Sequence, residues 1–388
     1  MDKALPPLQG FKYLQRVAPL LERLRDCGTQ RDQAGNRDLF FHRYAALLLL
    51  YFFNPALTSL RGLQQATALD KVQQATAGGR VSLGALSEAA HVFDPALLRD
   101  VLRELATDSG PHAKLPADRG ALRDLVAVDG SLLRALPRMA WALWQDAGHR
   151  AAKLHLAFEV FRAGPADATL TPGNGSERQQ LKAELLRPGR IYVVDRGYES
   201  YALLADIRAA RSSFVARVQA DVAFEVEREP EPTAAAKAAG VVRDVVLKRL
   251  GSAHHKDWHK GKSLRRVVVE NRAARAGEAT TLYLVTDQLD WPAELVALAF
   301  KYRWRVELFF RWLKSILGCR HLLSQSAGGV ALQVYAALIA SVLLGQWTGR
   351  KPDKRTFEMF CHYFSGWATE QELQDYLQKL QANEESSA

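Results

Sequence analysis

Cysteine is scarce and poorly placed for any cross-linked fold. Cys27, Cys319 and Cys361 are odd in number, far apart and never in a C-x-x-C pair. That arrangement excludes a disulfide framework and a thiolate zinc site. Long apolar runs are also missing. The two richest, Tyr44–Phe53 and Val330–Leu344, fall short of the ~20 apolar residues that cross a bilayer, and Gln333 interrupts the second. The N-terminus, Met1-Asp2-Lys3 followed by Pro6-Pro7, lacks the apolar core of a signal peptide. Gly173-Asn174-Gly175 lacks the lysine of a phosphate-binding loop and reads as a plain turn. A soluble, cytoplasmic protein with no membrane partner is expected.

The chain has ample material for buried cores: 388 residues, 48% hydrophobic and 24% charged. Two or three folding units are expected at that length. Lys and Arg number 52 against 42 Asp and Glu, a net charge of +10, which favours a polyanionic partner.

From Gly10 to Ala106 the pattern is helical. Asn54-Pro55 stops the first apolar run, Gly78-Gly79 turns the chain, and Ser82 and Asp94-Pro95 start helices. At about Leu122 the period becomes extended. Leu125–Val128 is a short apolar run ending in Asp129-Gly130, the pattern of a buried strand with a carboxylate at its tip. Lys153–Phe161 and Ala168–Thr171 read as a hairpin, and Ser176 with Gln179 caps a helix to Leu186. Ile191–Val194 is a further strand, ending in Asp195-Arg196-Gly197-Tyr198, and a helix over Tyr201–Ala210 leads to a strand at Phe214–Val218. This is an α/β order on a mixed sheet. Glu225–Gly240 reads as a linker or exposed ribbon turn. A β-rich basic insertion follows, with ten Lys/Arg against three acids over 243–275. One helix, about Ala293 to Leu317, then closes the unit. Further helices follow at Val330–Leu344, Thr356–Tyr363 and Glu370–Leu380, ahead of a polar, mobile tail from Gln381.

Three acids stand out by context. Asp129 and Asp195 each follow a buried strand, where side chains of an α/β sheet converge on its ligand-binding edge. Two carboxylates brought together there repel unless a cation sits between them, and paired hard oxygen ligands suit Mg²⁺. Glu307 lies on the closing helix. At ~100° per residue, Phe300, Arg303, Arg311 and Lys314 fall within about 40° of it, and Trp304 within about 60°. Val306, Phe309, Phe310, Leu313, Ile316 and Leu317 form the opposite, docking stripe. A lone carboxylate ringed by cations suits a metal ligand in a site that also holds phosphates. Two Mg²⁺ ions on three carboxylates are the apparatus of in-line phosphoryl displacement.

Asp129-Gly130-Ser131, Asp195-Arg196-Gly197-Tyr198 and the block Arg-Trp-x-x-Glu-Leu-Phe-Phe-x-Trp-Leu-Lys from Arg303 to Lys314 resemble the DDE transposases of bacterial insertion sequences. The closest branch carries a Tyr-Arg-Glu-Lys signature. Arg303, Glu307 and Lys314 match it, while Phe300 stands at the tyrosine position. The register that starts at Tyr302 and Arg305 puts the acid at Phe309 and is rejected. The resemblance covers about residues 120–345. It implies a ribonuclease-H-like mixed sheet flanked by helices, interrupted by a β-rich subdomain and preceded by a helical domain.

The implied activity is cut-and-paste DNA transposition by a nucleoid-associated bacterial enzyme. A homodimer binds double-stranded DNA at terminal inverted repeats, nicks with water, forms a hairpin and joins 3′-ends to target DNA. Asp129, Asp195 and Glu307 are the implied catalytic and metal-binding residues, for two Mg²⁺ with Mn²⁺ able to substitute. Arg303, Trp304, Arg311 and Lys314 grip the transposon end, joined by Arg196 and Tyr198. Lys260, Lys262, Arg265 and Arg266 represent the basic insertion, whose net +7 favours counterion release from a duplex.

The expected divisions are a helical N-terminal domain at 1–115 for end binding, catalytic parts at 116–220 and 287–345, the insertion at 221–286 and a helical C-terminal region at 346–388. Asp124, Glu159, Asp167 and Glu177 compete as acids, but none ends an apolar strand. His254, His255 and His259 are expected to add to a basic loop, and Trp312 to pack. A non-catalytic relative of a transposase and a structure-selective nuclease are the alternatives.

Overall fold

The computed structural model of the chain describes residues 17–27, 37–107, 117–134, 139–143, 150–175, 185–198, 200–252, 258–259, 261–271, 280–315, 322–351 and 353–385. Its centre is a nine-stranded mixed sheet in the order β3-β2-β1-β4-β5-β9-β8-β7-β6. The first five strands in chain order are β1 (Leu125–Arg134), β2 (Ala151–Glu159), β3 (Gly164–Pro172), β4 (Ile191–Val194) and β5 (Ser213–Arg217). The last four are β6 (Phe224–Arg228), β7 (Val241–Leu250), β8 (Leu264–Glu270) and β9 (Thr281–Thr286). β1, β4 and β5 are parallel neighbours; β1–β2, β2–β3 and β5–β9 are antiparallel.

The central strands are covered on both faces, which is why they read as continuous apolar runs. Leu125, Ala127, Val193 and Val215 belong to one core; Val126, Val128, Val194 and Ala216 belong to the other. The second core is closed by Leu203, Leu204 and Ile207 of a short helix, Tyr201–Ala209. The first core runs on into helices before and after the sheet. α1 (Phe41–Phe53), α2 (Leu83–Val92) and α3 (Pro95–Thr107) pack on a long helix, Ala327–Thr348, and α3 also reaches β3. The caps read from sequence are in place: Ser82 accepts from the Ala85 N–H at 3.0 Å, and Asp94 from that of Ala96 at 2.9 Å. The Gly78-Gly79 turn lies against Arg43, whose guanidinium donates to both carbonyls.

Several expectations need correction. Ala327–Thr348 has 22 residues and is apolar all round, so it is long enough to cross a bilayer. It is a core helix, 89% of its apolar window being buried in the protein. Glu225–Gly240 is no linker: it forms edge strand β6 and a helical turn, Ala234–Ala238, closed by Gly240. Gly240 has φ +87°, and a Cβ there would lie 2.8 Å from the Glu270 carbonyl oxygen. The basic segment is β-rich, and its strands extend the same sheet through the β5–β9 pair. The final helix continues through the expected tail to Glu385. Most of the helix expected from Ser176 to Leu186 lies outside the described residues, as do Ile316 and Leu317.

Candidate active site

Sheet parity places the acids. Asp129 lies two residues beyond Ala127, and Asp195 two beyond Val193, so both side chains leave the sheet on the face of the first core. The register Val128↔Val194 sets them side by side on adjacent parallel strands. Asp195 ends β4 as expected. Asp129 does not end β1, which continues to Arg134 in its ladder with β2, Asp129 facing Leu156. Asp129-Gly130 is therefore neither a strand tip nor a hairpin turn. Each aspartate accepts the next backbone N–H, from Gly130 at 2.8 Å and from Arg196 at 2.7 Å, which fixes one oxygen.

The third acid arrives on a helix that is broken where one helix was expected. A helix over Ala293–Tyr302 ends, Arg303 forms the joint, and a second helix covers Trp304–Ser315. Val306, Phe309, Phe310 and Leu313 are buried, and Phe309 meets Phe158 of β2 with centroids 5.1 Å apart. This docking turns Glu307 toward the aspartates. Arg305, the second member of the rejected register, is structural: it donates to the Val160 carbonyl at 3.0 Å and stacks on Tyr302.

All three carboxylates meet one guanidinium. Arg303 Nη2 lies 2.7 Å from Glu307 Oε1 and 3.3 Å from Asp195 Oδ2, and Nη1 lies 3.5 Å from Asp129 Oδ2. The Arg303 side chain is only 11% exposed, against 21–29% for the three acids. Its Nε is buried with no hydrogen-bond partner among the described residues. An orphaned donor of that kind costs about 1–3 kcal/mol, and more when charged.

Phe300 is buried, its ring centroid 5.6 Å from the Arg303 guanidinium carbon. Arg217 was not expected. It ends β5 as Asp195 ends β4, in the next register position, and its Nη1 lies 3.3 Å from Asp195 Oδ1. A basic residue closing a third buried parallel strand was the available signal.

The donor set is chemically suited to Mg²⁺: three hard, anionic oxygen ligands from three elements, with their like charges in need of a cation. Among the described residues, no group of three or more His, Cys, Asp or Glu is drawn together closely enough to hold an ion as it stands. Arg303 occupies the centre.

The competing acids lie at the other end of the strands and are paired. Asp124 and Glu159 meet Arg190 at 2.9 and 2.8 Å, and Asp167 meets Arg99 at 2.7 Å and Arg103 at 2.8 Å. Glu177 lies outside the described residues.

The expected DNA contacts divide. Trp304 is 42% exposed, Arg196 and Arg311 are exposed, and Lys314 is half-buried on the Glu307 helix. Lys262 is exposed, some way along the sheet from the acids. Lys260 and the Tyr198 side chain lie outside what is described. Arg265 and Arg266 are corrections. Arg265 is buried and holds Asp244 through two contacts, at 2.8 and 2.5 Å. Arg266 is 3% exposed, with Phe224 and Tyr283 at 4.6 and 4.8 Å and the Ala220 carbonyl at 3.1 Å. Neither reaches a surface.

His259 is also buried, its Nδ1 2.9 Å from the Lys262 carbonyl oxygen, and does not add to a basic loop. His254 and His255 lie outside the described residues. Trp312 packs against Phe309 and Phe357.

A family model described as a transposase DDE domain matches residues 120–343. The chain is similar to a putative transposase, y4zB, of Sinorhizobium fredii: 29% identical over 195 residues, 50% of this chain and 53% of that protein. It is similar as well to a probable transposase for insertion sequence element IS5377 of Geobacillus stearothermophilus, 28% identical over 220 residues, 56% of this chain and 55% of that protein. The chain thus spans about half the length of the curated relatives it matches. Among solved structures it is similar to the piggyBac transposase of a synaptic complex with hairpin DNA, at TM-score 0.41 and 11% identity, covering 95% of this chain and 82% of that one.

Proposed function

The chain belongs to the transposase DDE domain family, and from that premise we propose that it cuts and joins DNA at Asp129, Asp195 and Glu307. The observation that carries the reading is the convergence of three carboxylates, remote in sequence, on one guanidinium. The strand order 3-2-1-4-5, antiparallel at β2 alone within that set, supports a ribonuclease-H-like catalytic sheet. In that frame residues 116–220 and 287–345 are the catalytic parts, 221–286 the insertion, 1–115 the end-binding region and 346–388 a C-terminal support.

The three carboxylates would hold two Mg²⁺, for which Mn²⁺ would substitute; the chemistry such ions would supply there is activation of a water or a 3′-hydroxyl and stabilisation of the leaving oxygen. The protein's own groups then position the DNA. Arg303, Lys314, Arg311 and Arg196 take phosphates, Trp304 stacks on an unpaired base or sugar, and Tyr198 lies in the turn after the second acid. The substrate is double-stranded DNA with terminal inverted repeats, bound by a homodimer, cut with a hairpin intermediate and pasted into target DNA in the bacterial nucleoid. Phe300 supplies no hydroxyl for a phosphate contact in hairpin formation.

The test is nicking and strand joining on DNA carrying the repeats that bracket the coding region. Asp129→Asn, Asp195→Asn and Glu307→Gln are each expected to abolish cleavage while DNA binding persists; unchanged cleavage by any one removes that residue from the assignment. A DNA-binding protein without catalysis is the second reading, favoured by Arg303 filling the centre and by Phe300. It predicts no nicking by the wild type in Mg²⁺ or Mn²⁺.

A further inference from the structure

The arginine at the centre of the site differs from Arg265, which holds the fold together. Arg265 is the reference case: Nε and Nη2 both bind Asp244, and Nη1 donates to the Leu289 and Trp291 carbonyls. Paired contacts to one carboxylate suit a guanidinium with a permanent structural role, since its five donors have a fixed fork geometry. Arg303 makes single contacts to three different carboxylates, two of them at 3.3 Å or longer. Its Nε, without a partner among the described residues, is a feature it shares with buried Arg266, so the spread of its contacts over three acids is what sets it apart. It also sits at the joint between two helices, its N–H donating to the Phe300 carbonyl at 3.1 Å and its own carbonyl accepting from the Val306 N–H at 3.1 Å. The contacts are those of a charge attracted to a concentration of opposite charge.

We propose that the Arg303 guanidinium is a stand-in for the divalent cation, neutralising the three acids while no ion is bound and exchanging places with the ion when one enters. This rests on the reading of the three acids as metal ligands. Ion and guanidinium are two cations drawn to the same oxygens. The entering ion ejects the side chain, which becomes available to a phosphate of the bound strand. Metal loading and grip on DNA are thereby coupled through one residue: what favours the swung-out side chain favours the ion. Arg217 remains on the other oxygen of Asp195 and holds that carboxylate in place during the exchange.

The test needs no turnover. Mn²⁺ is titrated into the full chain without DNA by calorimetry, for the wild type and for Arg303→Gln. Removing a competing unit charge from the centre is expected to tighten Mn²⁺ binding by roughly tenfold or more. In EDTA, Arg303→Gln is expected to melt at a lower temperature than the wild type, because its acids are left facing one another, and to gain more from added Mn²⁺. Arg303→Lys, which keeps the charge and a folded site, is expected to bind Mn²⁺ close to the wild-type affinity. Equal or weaker Mn²⁺ binding by folded Arg303→Gln overturns the exchange. If neither protein binds Mn²⁺, or if Asp195→Asn leaves the binding unchanged, the assignment of the acids as ligands fails first, and the exchange with it.

Discussion

Replacing Asp244 by Asn tests whether the basic cluster over 243–275 is a DNA surface or an internal framework. The Asp244 and Arg265 side chains are 6% and 10% exposed and share two contacts, at 2.8 and 2.5 Å. Asp244→Asn keeps the shape but leaves a buried guanidinium without its counter-charge. Breaking a buried pair in this way costs about 3–5 kcal/mol, whereas exchanging both partners for apolar residues of similar volume is often neutral. Asp244→Asn should therefore unfold at much lower urea concentration with an unchanged m-value, and Asp244→Leu with Arg265→Met should recover most of the loss. The recovered double variant also answers the functional question. A lost phosphate contact lowers the slope of log affinity against log salt by about one, so its slope on duplex DNA should match the wild type. A loss below about 1 kcal/mol in the single variant, or a slope reduced by about one in the double, would refute the structural assignment of Arg265.

Other outcomes follow from the same geometry. Trp304→Ala should weaken binding to a DNA end with an unpaired base by about 1–3 kcal/mol and leave a fully paired duplex nearly unaffected, read by fluorescence anisotropy. Arg311→Ala and Lys314→Ala should weaken binding about equally on all sequences, each lowering the salt slope by about one. His155 is fully buried, and burial, aided by Lys153, lowers its pKa to about 4. Its folded pKa thus lies below the unfolded value near 6.5, so the stability gained by keeping it neutral is fully present above about pH 6.5 and is lost as the pH falls toward 4. His155→Gln should flatten the fall in urea stability between pH 6.5 and 4.5 by up to about 1.4 kcal/mol per pH unit; an unchanged profile would show that His155 is not the group responsible.

The parts of the site that local pattern controls were legible in the sequence. Leu125–Val128 and Ile191–Val194 are strands covered on both faces, and such strands appear as uninterrupted apolar runs. The carboxylate beyond each run then inherits its direction from strand parity. Helical spacing likewise gave the Glu307 face, because the stripe from Val306 to Leu313 docks as the periodicity requires. The break at Arg303 left no such trace. Lys301-Tyr302-Arg303-Trp304-Arg305 contains neither glycine nor proline, and the joint lies where one helix packs over β5, β9, β8 and β7 and the next packs over β1 and β2. Asp129 looks like a strand end in the sequence and is not one, because pairing with β2 carries β1 past the point where its parallel pairing with β4 stops.

Local excess of positive charge succeeded at one site and failed at another, and the difference lies in what faces the cations. Around Glu307 the helix surface looks toward the acids and solvent, and Arg311 on it is exposed. Along β7 and β8 they meet partners brought by the sheet. Glu225 and Glu227 alternate on edge strand β6, and Glu229 follows its end. Glu225 pairs with Lys248 and Arg249, Glu229 takes Arg243 at 2.8 Å, and Glu227 accepts from Ser263. A run of acids spaced by two is the pattern of a strand presenting one charged face, so the acidic stretch, by composition a linker or exposed ribbon turn, carries the counter-charges of Arg243, Lys248 and Arg249 in the basic stretch after it. Net charge over a window therefore overstates the DNA-facing surface wherever an antiparallel neighbour carries the opposite sign at matching period. Among the described residues, the cations on the face of Glu307 stand on a helix, where no antiparallel strand brings acids at matching period, and that is the face on which the DNA reading rests.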